Sequence, residues 1–146
     1  AMKNIYAIAA GITMGLNLGE NAKSALIARS FVEISRLGKF FKVRSDTLFG
    51  LSGLGDLILT CNSLKSRNTS FGNLIASQQQ ISIEDHLKSQ TTTEGYFTVK
   101  AVKKIAEEKK VDMPIMEAIY NILHNKTSIT DEINQLLNRP ITDEFY

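Results

Sequence analysis

The chain has 146 residues, 43% hydrophobic and 22% charged, with 17 basic against 15 acidic side chains and a net charge of +2. Charges this balanced do not argue for nucleic acid or an anionic membrane surface; no run of about 18 apolar residues could span a bilayer, and no basic stretch followed by an apolar core reads as a signal peptide. The single cysteine, Cys61, excludes an internal disulfide and a cysteine metal cluster. It reads as a small buried hydrophobe. The length fits one domain, residues 1–146, with a real core, and the expected compartment is the cytoplasm.

In chain order, the pattern predicts helices throughout. Residues 5–19 form an apolar run filled with Ala7, Ala9, Ala10, Gly11 and Gly15, which reads as a buried, closely packed helix with Asn4 near its start and Gly19 at its end. Asn21 is the expected cap of a second helix, carrying Leu26, Phe31, Ile34 and Leu37 to about Gly38. Phe40, Phe41 and Val43 read as a bend, and Ser45 as the cap of a short turn through Phe49. One helical piece is expected over 56–61 and another over 69–77. Ser82 with Asp85 three residues on is a capping-box pattern. The three threonines 91–93 are a helix entry rather than an interior. Glu94 opens a long helix with Val99, Val102, Ile105 and Ala106 inward and a solvated face of Lys100, Lys103, Lys104, Glu107 and Glu108. Pro114 suits the first turn of the next helix, which ends at His124. Ser128 and Asp131 cap a last helix that Pro140 stops. No alternating strand pattern and no repeat appears, so the fold class is all-α. His86 and His124 lack acidic or cysteine partners at metal spacing and read as surface residues; no metal site is expected.

The chemistry concentrates in residues 50–68. Gly50, Gly53 and Gly55 fall within six residues, followed at once by Asp56, the apolar run 57–59, and the triplet Ser66, Arg67, Asn68 ahead of a new apolar segment. The glycines suit either a tight turn with close helix packing or a close approach to a ligand. The triplet is either an ordinary helix cap with a surface arginine or a phosphate cradle, combining neutral hydrogen-bonding groups, a planar cation and free N–H groups. Lys3 stands where the positive end of an apolar helix disfavours a cation. It reads either as a solvated lysine or as a base whose ammonium is destabilised by burial. The residues alone leave each pair of readings open.

Lys3–Asn4 before an Ala/Gly-rich helix, the block Gly55-Asp56-Leu57 with Leu59-Thr60-Cys61, Ser66-Arg67-Asn68, Phe71-Gly72, Glu94-Gly95, Met113-Pro114-Ile115 and Glu117-Ala118-Ile119-Tyr120 together resemble the C-terminal domain of NAD(P)-dependent glycerol-3-phosphate dehydrogenases, over residues 3–139. The resemblance implies a helical bundle of the 6-phosphogluconate dehydrogenase C-terminal domain type. It also implies interconversion of sn-glycerol 3-phosphate and dihydroxyacetone phosphate with NAD(P)(H), in the supply of glycerophospholipid precursors. It places the catalytic acid/base on Lys3, and the substrate ligands on Lys3, Asn4, Asp56, Ser66, Arg67 and Asn68. Asp56 is also expected to pair with Lys3. Cofactor contacts fall on Arg67, Thr92 and Glu94.

There are departures from the family pattern. Thr92 and Thr93 stand where the family often has valines, a basic residue is often found near Phe97, and an acid is common where Met14 stands. The glycine-rich phosphate turn after a strand, which holds most of the cofactor in this family, is missing. The expectation is therefore a substrate domain cut from a longer enzyme, its N-terminal Rossmann domain absent and the fragment inactive alone, with a homodimer left open. Two other readings are a helical domain of another β-hydroxyacid-type dehydrogenase and a non-catalytic helical interaction module. The spacing of Asp56 from the triplet argues against the first; specific protection by a small phosphate ligand would argue against the second.

Overall fold

In the computed structural model, residues 2–41, 51–89 and 93–139 are described, and every regular element among them is helical. The elements are α1 (Lys3–Gly15), α2 (Glu20–Phe40), α3 (Leu51–Asn62), α4 (Arg67–Ser77), α5 (Ile83–Lys88), α6 (Glu94–Lys109), α7 (Pro114–His124) and α8 (Ile129–Leu137). The axis of the fold is α1. Every residue from Asn4 to Thr13 is buried, and the helix packs against α2, α3, α4, α6 and α7. A helix apolar on all sides is stable only when wrapped in this way.

The closest packing is between α1 and α4. A Cβ on Gly11 would sit 2.0 Å from the Thr69 carbonyl oxygen, and one on Gly72 would sit 2.1 Å from that of Ile8. The two backbones touch, and only glycine allows it. Ile8 lies against Gly72, Gly11 against Thr69 and Asn73, and Gly15 against Asn73 and Ala76. From Gly11 against Thr69 to Gly15 against Ala76 both sequence numbers rise, so the helices run in the same direction and their N-termini share one end.

Across the core, α2 fastens α7. The carboxylate of Glu33, fully buried, accepts hydrogen bonds from the backbone N–H groups of Ile115 (2.6 Å) and Met116 (3.1 Å) and from the Tyr6 hydroxyl (3.2 Å). Met113, the residue before α7, offers no side-chain cap. Glu33 thus does from another helix what a cap would do locally, placing negative charge at the positive end of α7. Burial, and after it the charge and hydrogen bond of Glu33, push the Tyr6 hydroxyl well above its usual value.

Helices α5, α6, α7 and α8 start where expected: Ser82 and Ser128 accept from the N–H of Asp85 and Asp131, Glu94 opens α6 and Pro114 opens α7. Ser66 caps α4 by accepting from the Thr69 N–H, so that helix begins at Arg67, two residues before the expected 69. Cys61 is buried, which pushes its thiol up to about 12.

Other expectations are corrected. Helix α1 ends at Gly15, not Gly19: Asn17 turns left-handed at φ 56, and Gly19, at φ 92, begins α2 instead. Helix α2 therefore starts at Glu20 without an Asn21 cap and runs through Phe40, which is no bend. Helix α3 is continuous from Leu51, and a Cβ on Gly55 would meet nothing within 4 Å, so that glycine serves neither a turn nor close packing here. Of 57–59 only Leu57 is buried. His86 is a buried residue, its Nε2 2.9 Å from the Gln78 carbonyl oxygen. His124 is half-buried between Tyr96 and Tyr120, with Nε2 2.8 Å from the Tyr96 carbonyl oxygen. Lys103 is not on a solvated face: it bonds to Glu117, lies 3.1 Å from Glu107 and sits over the Tyr120 ring. Val43, the turn 45–49, Gly50, Thr91, Thr92 and Pro140 lie outside the described residues.

Candidate functional site

Because α1 and α4 run in the same direction, their first residues lie together, and the start of α6 joins them. The Asn4 side chain donates from Nδ2 to Glu94 Oε2 at 3.0 Å, and the Gly95 N–H donates to Asn68 Oδ1 at 2.9 Å. Three helix N-termini thus meet within hydrogen-bond distance. Each carries unsatisfied N–H groups and a partial positive charge, so their shared end favours an anion.

The charged groups are arranged around this end. Arg67, the first residue of α4, is exposed, and no hydrogen bond or ion pair among the described residues holds it. Its guanidinium is available for bidentate binding of a phosphate or carboxylate. Ser66 caps the same helix and is partly exposed, whereas Asn68 is buried. On the neighbouring α3, Asp56 Oδ2 accepts from Lys3 Nζ at 2.7 Å. The Lys3 and Asp56 side chains are 40% and 54% exposed. Such a pair contributes little to stability, and both groups remain open to a ligand. Helix α3 is held against α4 by the Thr69 hydroxyl, which donates to the Thr60 carbonyl at 2.7 Å. Asp56 lies one turn before Thr60, so this bond fixes the distance between the lysine–aspartate pair and the triplet.

Of the residues singled out in the sequence, the structure brings together Lys3 with Asp56, Asn4 with Glu94, and Ser66, Arg67 and Asn68 at one helix start. Thr92 lies outside the described residues. Sequence reasoning gave Gly95 no role of its own. A Cβ there would meet Ile8 Cδ1 at 2.6 Å, Asn68 Oδ1 at 2.8 Å and the Asn4 carbonyl oxygen at 2.9 Å. Its place in the pair Glu94-Gly95 was the available signal. The bond from Thr69 to Thr60 was also missed, and nothing in the local pattern marks it. The acid expected at position 14 is absent. Met14 and Lys23 line the same cleft of about 310 Å³, and Lys23, buried, finds its counter-charge at Glu20, 3.3 Å away in its own helix. Among the described residues no group of three or more His, Cys, Asp or Glu side chains is placed to hold a metal ion.

These features define a class: an all-helical domain with an anion cradle at converging helix starts and a lysine–carboxylate pair beside it. Residues 1–134 match the family model described as NAD-dependent glycerol-3-phosphate dehydrogenase C-terminus. The chain is 45% identical over 147 residues to a glycerol-3-phosphate dehydrogenase [NAD(P)+] of Thermotoga sp. (strain RQ2), covering 100% of this chain and 45% of the relative. It is 46% identical over 141 residues to one of Lactobacillus helveticus (strain DPC 4571), covering 95% and 41%. The crystal structure of glycerol-3-phosphate dehydrogenase from Coxiella burnetii superposes with a TM-score of 0.89 at 37% identity, covering 94% of this chain and 42% of that one. The chain belongs to the family of glycerol-3-phosphate dehydrogenase C-terminal domains. It spans less than half the length of the relatives it matches.

Proposed function

We propose that this chain is the substrate-binding and catalytic helical domain of an NAD(P)-dependent glycerol-3-phosphate dehydrogenase, interconverting sn-glycerol 3-phosphate and dihydroxyacetone phosphate for glycerophospholipid precursors. It works with an N-terminal dinucleotide-binding domain and is inactive without it. The proposal includes a cytoplasmic location and leaves a homodimer open. The observation that carries it is the meeting of three helix N-termini, with exposed Arg67 at one of them and the Lys3–Asp56 pair alongside. No helix among the described residues is long and apolar enough to cross a membrane.

The roles follow from the donor set. The start of α4, with Ser66, Arg67 and Asn68, takes the substrate phosphate. Asn4 and Asp56 hold the substrate hydroxyls, and Lys3 exchanges a proton with the C2 oxygen. In oxidation the O–H proton at C2 passes to Lys3 Nζ as the C2–H bond breaks and the carbonyl forms. In reduction the Lys3 ammonium returns that proton to the ketone oxygen. The nicotinamide, when bound, supplies or accepts the hydride at C2. From this domain Glu94, with Arg67 and Thr92, would touch the cofactor; Glu94 and Arg67 are both exposed at the anion-favouring end and suit that fringe role.

The test is Arg67→Ala in the enzyme joined to its dinucleotide-binding domain. A lost charged hydrogen bond costs about 1.5–3 kcal/mol, so KM for dihydroxyacetone phosphate should rise at least about tenfold. Arg67→Lys should recover only part, because the planar fork is gone. An unchanged KM in Arg67→Ala would remove the triplet from the site.

A further inference from the structure

We infer that Asn68 is a positioning residue for the cofactor side of the site as well as a member of the phosphate triplet. Through the Gly95 backbone it holds Glu94 in place. The inference rests on the site reading above and deepens it.

Asn68 is 6% exposed, and its Oδ1 accepts the Gly95 N–H at 2.9 Å. With the oxygen turned to that donor, the side chain keeps its N–H₂ group to donate, which suits a phosphate oxygen. The same bond satisfies one of the orphan donors at the start of α6. Thr93, the residue before that helix, makes no side-chain cap, so Asn68 supplies the cap from α4. At that start Gly95 packs closely among Ile8, Asn68 and the Asn4 carbonyl, with no room for a Cβ. Glu94 directly precedes that glycine, and its carboxylate is steered by Asn4 Nδ2 at 3.0 Å. The two asparagines therefore bind two groups of one dipeptide. Asn68 fixes the backbone of Gly95, Asn4 fixes the carboxylate of Glu94, and both also stand in the substrate site. A residue of the phosphate triplet thereby sets the geometry of a cofactor contact.

The experiment measures KM separately for NADH or NADPH and for dihydroxyacetone phosphate in the complete enzyme. Asn68→Ala should raise both, the cofactor KM by about fivefold, the size of one lost backbone hydrogen bond. Gly95→Ala replaces no triplet residue, but its Cβ would press on Asn68 Oδ1 and the Asn4 carbonyl oxygen at the same junction, so it too should raise both KM values. Asn68→Asp keeps an acceptor for the Gly95 N–H but turns a negative oxygen toward the phosphate. It should return the cofactor KM to within about twofold of the parent while the substrate KM stays high. A merely structural role would not produce that split, and thermal melting of each variant reports folding independently. An unchanged cofactor KM in both Asn68→Ala and Gly95→Ala overturns the inference. So does failure of Asn68→Asp to rescue the cofactor KM. If Arg67→Ala leaves the substrate KM unchanged, the site reading itself has failed, which is a separate result.

Discussion

The contact between α1 and α4 predicts opposite outcomes for one substitution at two helical glycines. In Gly72→Ala the new Cβ would lie 2.1 Å from the Ile8 carbonyl oxygen and 3.1 Å from the Ile12 nitrogen. Both obstacles are backbone, so no rotamer change relieves them. Restoring ordinary contact at 3.4 Å requires the helices to part by about 1.3 Å. A gap wider than about 1 Å forfeits roughly half or more of each dispersion contact, and a few tens of contacts across the seam at about 0.1–0.2 kcal/mol each bring the loss to roughly 2–3 kcal/mol. Residual strain adds about 1–3 kcal/mol, and the better helix propensity of alanine returns about 1 kcal/mol. The net loss is about 3 kcal/mol, or roughly 10 °C in Tm for a chain of this length. Gly55→Ala meets nothing within 4 Å in α3, so only the propensity gain of about 1 kcal/mol remains, and Tm should rise by roughly 3 °C. Calorimetric melting of both variants beside the parent chain decides it. A Gly72→Ala protein that melts with the parent, or a Gly55→Ala protein that falls as far as Gly72→Ala, would refute the packing argument.

Two further variants probe buried polar groups. Thr93, 1% exposed, has a hydroxyl with no hydrogen-bond partner among the described residues; Thr93→Val keeps the shape and removes the orphan, so stability should rise by about 1 kcal/mol, and a lower Tm would count against it. Burial pushes His124 below its ordinary value of 6.5, with the Tyr96 carbonyl opposing and Lys100 adding. The unfolded chain then binds the proton more readily. Stability from neutral His124 is complete above pH 6.5 and drains away as pH falls below it through the folded value. His124→Gln should flatten the fall in Tm between about pH 7.5 and pH 5.5, and an unchanged slope would assign that fall to other groups.

What was legible in the sequence is what local chemistry controls. Ser66, Ser82 and Ser128 cap the N–H three residues on, and Pro114 begins a helix because its missing N–H and fixed φ cost nothing there. The all-helical class follows from the spacing of apolar residues. Glu33 was not legible. Its carboxylate caps α7 across 82 residues of chain, and no periodicity announces so distant a partner. His86 was missed although its partner is near in sequence: the Gln78 carbonyl, eight residues back at the end of α4, is a backbone group that no side-chain pattern marks. Lys103 sits on the polar stripe of α6, but α7 brings Glu117 and Tyr120 over it. In the site, resemblance named the residues proposed to touch a ligand. It gave no role to Gly95, whose contribution is to be small enough for three helix starts to meet.

The central claim is that Lys3 carries the proton of the reaction. Its most direct test is kcat for dihydroxyacetone phosphate reduction by Lys3→Ala, in the complete enzyme with saturating substrate and cofactor, followed across pH. Lys3 Nζ is 2.7 Å from Asp56 and partly open to solvent, so truncation opens no core cavity and the protein should stay folded. The account predicts a fall in kcat of about 10²–10⁴, with no recovery in Lys3→Arg, since arginine does not release its proton. A folded Lys3→Ala enzyme with near-parental kcat at every pH would contradict the account and assign the proton transfer to water or to a group outside this domain.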